Sequence, residues 1–399
     1  MDSEDKSTRL IHHPYRAPAG FESPAVPVAK GSSVFFPNVA ALRSRTWVDR
    51  SAYTYGLHGT PTTFTLEERL ATLEGGKHCV LVSSGLAAIT LVNMALLSAG
   101  DQVLLPDNAY GPTKTFARHE LARWGIAHGL YDPLDVDSLA AAITPATKLV
   151  WLEAAGSVTL EFPDLCGLVH MLRERAPQAV IALDNTWGAG LAFDAFELGE
   201  VQGQGQGVDL TVHALTKYPS GGGDLLLGSV ICRDDTLARM LSLARSRVGH
   251  GVGVNDVEAV LRSLPSLPLR YAAQDRSGRA FAQWCSTRPE FARVLHPALP
   301  GSPGHAHWAA QCRAAAGLVC VAIDPRFTPA QADAFVDALR RFRVGWSWGG
   351  PMSLVAPYQA EAIRNLPTAY AGSLVRFCIG LEAVEDLIAD AQQALAVLK

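Results

Sequence analysis

The sequence predicts an α/β fold built on a mostly parallel sheet, with a smaller α+β domain behind it and an irregular arm in front. Three observations carry that expectation. Between about residues 61 and 256, short and continuously apolar segments such as Cys79-Val80-Leu81-Val82 and Ala179-Val180-Ile181-Ala182-Leu183 alternate with segments of helical spacing. Strands apolar on both faces belong to sheets covered on both sides, as parallel sheets are. After about residue 260 the alternation stops, and helical segments mix with isolated strands. Before residue 60, Pro14, Pro18, Pro24, Pro27 and Pro37 interrupt every short apolar piece. The expected division is an arm over 1–60, an α/β domain over 61–256 and a C-terminal α+β domain over 257–399. A long arm without regular structure suits wrapping around a partner.

The elements follow in order. Ser51 to Thr62 is a polar, aromatic loop, and Thr63 to Leu73 is a helix by the spacing of Phe64, Leu66, Leu70 and Leu73, closed by Gly75-Gly76. Cys79–Val82 is a strand, Ser83-Ser84-Gly85 a turn and helix cap, and Leu86–Leu97 a helix stopped by Gly100. Strands at Gln102–Leu105, Lys148–Glu153, Ala179–Asp184, Asp209–His213 and Leu226–Ile231 are expected, with helices over Thr113–Trp124 and Leu165–Arg175. Leu237 to about Leu261 reads as largely helical. In the last domain, helices over Gln274–Cys285, Pro329–Leu339 and Ala383–Leu398 accompany strands at Gly317–Ile323 and Leu374–Gly380.

Composition limits the function. The chain has 399 residues, 48% hydrophobic and 18% charged, so a large core is available and disorder is not expected. A net charge of −4 argues against nucleic acid or an anionic membrane as the main partner. No apolar run is long enough to span a bilayer, and the charged start Met1-Asp2-Ser3-Glu4-Asp5-Lys6 lacks a signal-peptide core. Seven cysteines without a C-x-x-C pair suggest free thiols in a reducing cytoplasm, with Cys166, Cys320 and Cys378 packed in the core.

Lys217 is the residue on which function turns. It lies where the apolar strand Thr211-Val212-His213-Ala214-Leu215 meets the turn Pro219-Ser220-Gly221-Gly222-Gly223. Desolvation there would lower its pKa, and a neutral amine can attack a carbonyl. Ligands of parallel sheets bind beyond the carboxyl ends of the strands. Two other groups fall on that edge: Gly85 and Leu86 at a helix start suited to a phosphate, and Asp184 ending an apolar strand. A phosphate cradle, a partly buried carboxylate and a desolvated lysine, in that order, point to pyridoxal phosphate. The lysine would attach the cofactor and the carboxylate would keep its pyridine nitrogen protonated. Two decoys are set aside. Gly203-Gln204-Gly205-Gln206-Gly207 precedes a strand instead of opening a helix, and reads as a surface loop. His305-Ala306-His307 lies among Gly301, Pro303 and Gly304 with no Cys or carboxylate cluster nearby, so no metal site is expected.

From about Thr8 to the C-terminus the chain resembles the Cys/Met-metabolism pyridoxal-phosphate enzymes of fold type I: cystathionine lyases and synthases, and methionine γ-lyase. The resemblance rests on Tyr55-Gly56-x-x-Gly59-Thr60-Pro61-Thr62, Ser84-Gly85-Leu86-Ala87-Ala88, Asp184-Asn185-Thr186-Trp187, Thr216-Lys217-Tyr218, Ser347-Trp348-Gly349-Gly350 and Leu374-Val375-Arg376-Phe377. It implies a mostly parallel seven-stranded sheet in the large domain and a homotetramer made of two dimers. It also implies that Tyr110 stacks on the cofactor ring, that Gly85, Leu86 and Thr216 bind the phosphate, and that Tyr55 reaches in from a neighbouring subunit. Ser347 and Arg376 would hold the α-carboxylate of a small sulfur amino acid, the Arg fork matching a carboxylate. Two positions depart from the family: Leu57 stands where an Arg is usual, and Ala214 where a Ser is usual. Both family residues touch the phosphate, and His58 or His213 are the candidates to compensate.

Within the family the resemblance is to β-lyases. Trp346 stands before Ser347 where γ-enzymes tend to place a glutamate, and Trp348 follows it. Pro112 stands where methionine γ-lyases carry a cysteine, and Ala155-Gly156-Ser157-Val158-Thr159 is similar to the β-lyase form of that loop. The expected reaction is β-elimination from cystathionine. A γ-lyase or sulfhydrylase on the same scaffold, and a non-catalytic binding protein, remain the alternatives.

Overall fold

Seven short strands build the larger layer, in the computed structural model that describes residues 23–48, 50–199 and 207–398 together with Thr8, Ile11, His12 and Gly20. They are β1 (His78–Val82), β2 (Gln102–Pro106), β3 (Ala127–Tyr131), β4 (Thr147–Glu153), β5 (Val180–Asp184), β6 (Leu210–Ala214) and β7 (Gly228–Cys232). Their order is β1-β7-β6-β5-β4-β2-β3, parallel throughout except that β7 runs against both β1 and β6. The strands are apolar on both faces because both are covered. Leu81, Leu104, Leu152 and Ile181 pack toward helices Pro61–Glu74 and Leu165–Arg175, while Val82, Leu105, Trp151 and Val212 pack toward helices Gly85–Leu96 and Asp235–Val248. The period-2 division between the two clusters is the strand geometry itself.

A second, five-stranded sheet is formed by β8 (Phe291–Leu295), β9 (Leu318–Ile323), β10 (Arg343–Val344), β11 (Leu354–Gln359) and β12 (Ser373–Cys378), in the order β10-β11-β12-β9-β8. It is antiparallel apart from the short β10–β11 pair. Helices Leu267–Cys285, Pro329–Asp337 and Val384–Ala394 accompany it, and its own cluster centres on Phe281, Phe335 and Phe377. This is the mostly parallel sheet plus smaller α+β unit that the sequence predicts.

Several details depart from expectation. β3, β8, β10, β11 and helix Val136–Ala142 were not anticipated; β3 is an edge strand on which only Tyr131 is buried, so its pattern carries little signal. The helix expected over Thr113–Trp124 begins earlier, at Gly111, and changes to π-helical turns over Ala117–Leu121. His305 and His307 open a helix; His305 Nδ1 lies 2.8 Å from the Pro297 carbonyl and His307 Nδ1 3.5 Å from Asp164. Cys320 and Cys378 are buried, but Cys166 is only partly so, its Sγ accepting from the Gly199 amide at 3.3 Å. Residues 203–206 of the glycine-rich decoy lie outside the described residues. The described arm is largely irregular around helix Val39–Ser44, and it docks through Thr62, whose Oγ1 accepts from Ala29 N at 2.8 Å and donates to Pro27 O at 2.9 Å.

Gly85 marks a tight junction beside the sheet edge. A Cβ there would stand 2.5 Å from Ala214 Cβ and 2.9 Å from Ala214 Cα, so the helix start and the end of β6 touch only because residue 85 has no side chain. Gly85→Ala should therefore destabilise the protein by about 1–3 kcal/mol, the range for overpacking. Thermal unfolding of the variant checks it; an unchanged midpoint would contradict the contact.

Candidate active site

All the parallel strands end on one edge, and that edge supplies the residues singled out above. Ser84 caps the helix after β1, accepting from Ala87 N at 3.0 Å and leaving the first amides of Gly85–Leu96 pointing outward. Tyr110 follows β2, Glu153 ends β4, Asp184 ends β5, and Thr216 and Lys217 follow β6. The second sheet contributes Arg376 from β12 and the loop Trp346-Ser347-Trp348 from between β10 and β11. Gly85, Leu86, Tyr110, Asp184, Thr216, Lys217, Trp346, Ser347, Trp348 and Arg376 line a single cavity of about 590 Å³. Tyr55 does not line it. It is half exposed on the arm and bridges Ser33.

The lysine is held by its neighbours in sequence. Tyr218 is fully buried, accepts from Gly317 N at 2.8 Å and packs edge-on against Tyr271 and Trp348. Gly349, at φ +79°, lets the second loop pack on the Lys217-Tyr218 backbone: a Cβ there would stand 2.7 Å from the Tyr218 nitrogen and collide. That approach sets Ser347 Oγ 3.0 Å from Lys217 Nζ and the Trp348 ring 5.5 Å beneath it. Burial, and then the nearby Arg376 charge, push the Lys217 pKa down. A lowered pKa is what an attacking amine needs.

Asp184 faces the cavity with Oδ1 accepting from Thr186 N at 3.0 Å and Thr186 Oγ1 at 2.6 Å. Thr186 Oγ1 in turn accepts from Ala214 N at 3.0 Å, tying the carboxylate to the end of β6. Burial raises its pKa, while Thr186, His213 and Lys217 pull it back. Arg376 is 5% exposed; its Nη1 donates to Ser157 O at 2.9 Å, and its guanidinium lies 5.4 Å from the Tyr358 ring. The 155–159 loop thus fixes the arginine. Arg376 Nε is buried without a hydrogen-bond partner, as is Trp187 Nε1 on the same wall.

Neither histidine is free to replace the missing phosphate contacts. His58 Nδ1 lies 2.8 Å from Thr54 Oγ1, its Nε2 3.3 Å from Ser246 Oγ, and its ring stacks on Trp47. His213 Nε2 is 3.1 Å from Glu74; burial pushes its pKa down, but the Glu74 carboxylate more than offsets this and the net shift is upward. The Leu57 carbonyl accepts from the buried Arg245 Nη1 at 2.6 Å, and neither residue lines the cavity.

Glu153 and Arg118 are among the cavity residues missed in the sequence. Glu153 bears the same signature as Asp184, a lone carboxylate ending an apolar strand, and that signal would have found it. Arg118 lines the cavity from the π-helical turn and makes no salt bridge among the described residues; nothing in its local sequence marks it.

The donor set fits pyridoxal phosphate. The outward amides at Gly85 and Leu86 suit its phosphate, the buried carboxylate of Asp184 suits a protonated ring nitrogen, and the lowered amine of Lys217 suits its aldehyde. Fold and site together define a pyridoxal-phosphate enzyme of fold type I. Residues 7–396 match the family described as Cys/Met metabolism PLP-dependent enzyme, and the chain belongs to that family. It is 36% identical to the cystathionine beta-lyase of Bordetella avium over 395 residues, covering 97% of this chain and 96% of that one. It is 35% identical to the cystathionine beta-lyase of Salmonella typhimurium over 371 residues, covering 91% of each. The structure of cystathionine gamma synthase from Xanthomonas oryzae pv. oryzae, in complex with aminoacrylate and cysteine, superposes with a TM-score of 0.83 at 29% identity, covering 94% of this chain and 93% of that one.

If Lys217 is the attachment point, borohydride reduction should fix the pyridoxyl group on the peptide carrying it, and Lys217→Ala should lose both the linkage and several orders of magnitude in turnover. Mapping of the label to any other lysine would overturn the assignment.

Proposed function

We propose that this chain is a cystathionine β-lyase, converting L-cystathionine and water to homocysteine, pyruvate and ammonia. The observation that carries the reading is the wall around Lys217. Trp348 lies against the amine and Ser347 Oγ accepts from it at 3.0 Å, while Trp346 stands beside them at the cavity rim. A β-elimination needs one proton removed at Cα and no second base at Cβ, so an aromatic wall is sufficient there. The 36% identity to a named β-lyase over nearly the whole chain supports the same choice.

In this reading Arg376 and Ser347 hold the substrate α-carboxylate, the guanidinium offering a fork that Ser157 keeps oriented. That orients the Cα–H bond toward Lys217. Bound pyridoxal phosphate supplies an electron sink for the charge left at Cα. Lys217, with its depressed pKa, takes the Cα proton. Asp184 would hold the protonated ring nitrogen of the bound group through its carboxylate. Lys217 or the hydroxyl of Tyr110 or Tyr55 protonates the departing sulfur. Trp187 and Trp348 wall water away from the reacting carbon. Gly85, Leu86 and Thr216 would hold the phosphate of the bound group. The seven unpaired cysteines support a cytoplasmic setting, and among the described residues no helix is long and apolar enough to cross a membrane.

A γ-lyase or γ-synthase remains the second reading, because the Xanthomonas oryzae γ-synthase shares the fold with a TM-score of 0.83. Mass spectrometry of the products from L-cystathionine separates the two. Pyruvate with homocysteine is expected; dominant 2-oxobutanoate with cysteine would overturn the β-lyase reading and the role given to Trp346.

Assembly belongs to the proposal. Tyr55 lies outside its own chain's cavity, and exposed Trp346 and Leu226 rim that cavity, 83% and 66% accessible. A neighbouring subunit, in a dimer of dimers, would cover the rim and insert its Tyr55. Activity should then require at least a dimer; a fully active monomer in sedimentation at assay concentration would exclude it.

A further inference from the structure

Glu153 is a buried cavity group without a part in the reaction above. It ends β4 at the position paired in register with Asp184 on β5, so two carboxyls face one cavity from strands roughly 4.8 Å apart. Two carboxylates so close do not both ionise readily. The donors around them are unequal. Asp184 receives both the amide and the hydroxyl of Thr186. Glu153 receives one donor, the Tyr110 amide, at 2.9 Å from Oε2. Tyr110 is the residue before helix Gly111–Phe116 and has no side-chain cap of its own, so this bond is what anchors the backbone from which the Tyr110 ring projects.

We propose that Glu153 is a positioning residue: its carboxyl pins the Tyr110 amide at the cavity edge and carries the single proton of the Glu153–Asp184 pair, leaving Asp184 the anion. The surroundings agree. On β5 the facing group is Asp184. After β2 they are Tyr110 and Lys114, the latter bonded to the Asp107 carbonyl at 2.6 Å. On β3 it is Tyr131, whose hydroxyl donates to Trp151 O. Helix Gly85–Leu96 brings no ionisable side chain. Burial first, then Asp184, hold the Glu153 pKa well above its ordinary 4.5, with the Tyr110 amide and Lys114 opposing. A neutral carboxyl there still accepts from the amide and leaves its O–H to donate.

The inference rests on the cofactor assignment and not on which sulfur amino acid is cleaved. Its test uses the full-length chain and two readouts other than turnover. The first is melting temperature against pH for the cofactor-free protein. A folded-state pKa raised above the unfolded value gives stability that is complete below about 4.5 and lost as pH rises through the folded pKa. Glu153→Gln removes that loss, so its melting temperature should climb relative to wild type as pH rises from the acid side. A fall relative to wild type would mean an ionised, partnered Glu153 and would overturn the proposal. The second is cofactor affinity on reconstitution. Glu153→Gln should stay within about threefold of wild type, and Glu153→Ala should weaken binding by roughly 10- to 100-fold. In a Tyr110→Ala background the same Ala substitution should add less than about threefold, because both act through one group. Equal losses in the two backgrounds would mean a general structural role. If Glu153→Ala does not fold, the Glu153→Gln melting series decides alone.

Discussion

The desolvated amine of Lys217 is the constraint on which the site depends. An ammonium against an indole face and near an arginine is disfavoured by burial and by like charge, and both push toward the neutral form. That cost falls on a short turn, so the turn has to be held from outside itself. Tyr218 does this from within the core, and Gly349 does it from the second domain by allowing backbone-to-backbone approach. The Lys217 amine is therefore placed by packing between two domains, and the two tryptophans beside Ser347 arrive with the same contact.

Opposite the amine, the charge pattern is divided. Asp184 receives donors that favour the anion, and Glu153 receives few, so one carboxyl can serve a cationic ring nitrogen while the other stays an uncharged hydrogen-bonding group. Separating two like groups by their local donors instead of by distance is how one narrow sheet edge can supply both roles. The Thr186 hydroxyl links this division to the lysine, since it bonds Asp184 on one side and the Ala214 amide on the other.

What the sequence made legible was whatever a local pattern encodes. The buried strands, the helix after Ser84 and the lysine turn all follow from apolar runs bounded by Gly, Pro and Ser. β3 was not legible because an edge strand with only Tyr131 buried has no such run. The contact at Leu57 was hidden for another reason. Its partner Arg245 is 188 residues away and bonds a carbonyl, so the side chain at 57 bears no trace of it. Glu153 was readable and passed over, while Arg118 depends on where a π-turn points it, which composition does not reveal.

The remaining wall of the cavity is built on ions and not on apolar packing. Asp107, fully buried after β2, accepts from Lys114 Nζ, Arg364 Nε and the amides of Asn365 and Leu366. Arg364 also donates to Glu161 at 2.7 Å, and Lys114 to the Ile363 carbonyl at 2.7 Å. The segment so gripped, Ile363–Asn365, comes from the second domain and lines the cavity. An apolar contact tolerates sliding; a carboxylate with four donors does not, because each bond has a direction. Removing one partner from such a buried set leaves an uncompensated charge, at about 3–5 kcal/mol. The domains are thus held at a defined relative position along this edge, and Arg376, carried on β12 of the same second domain, inherits that position with respect to Lys217.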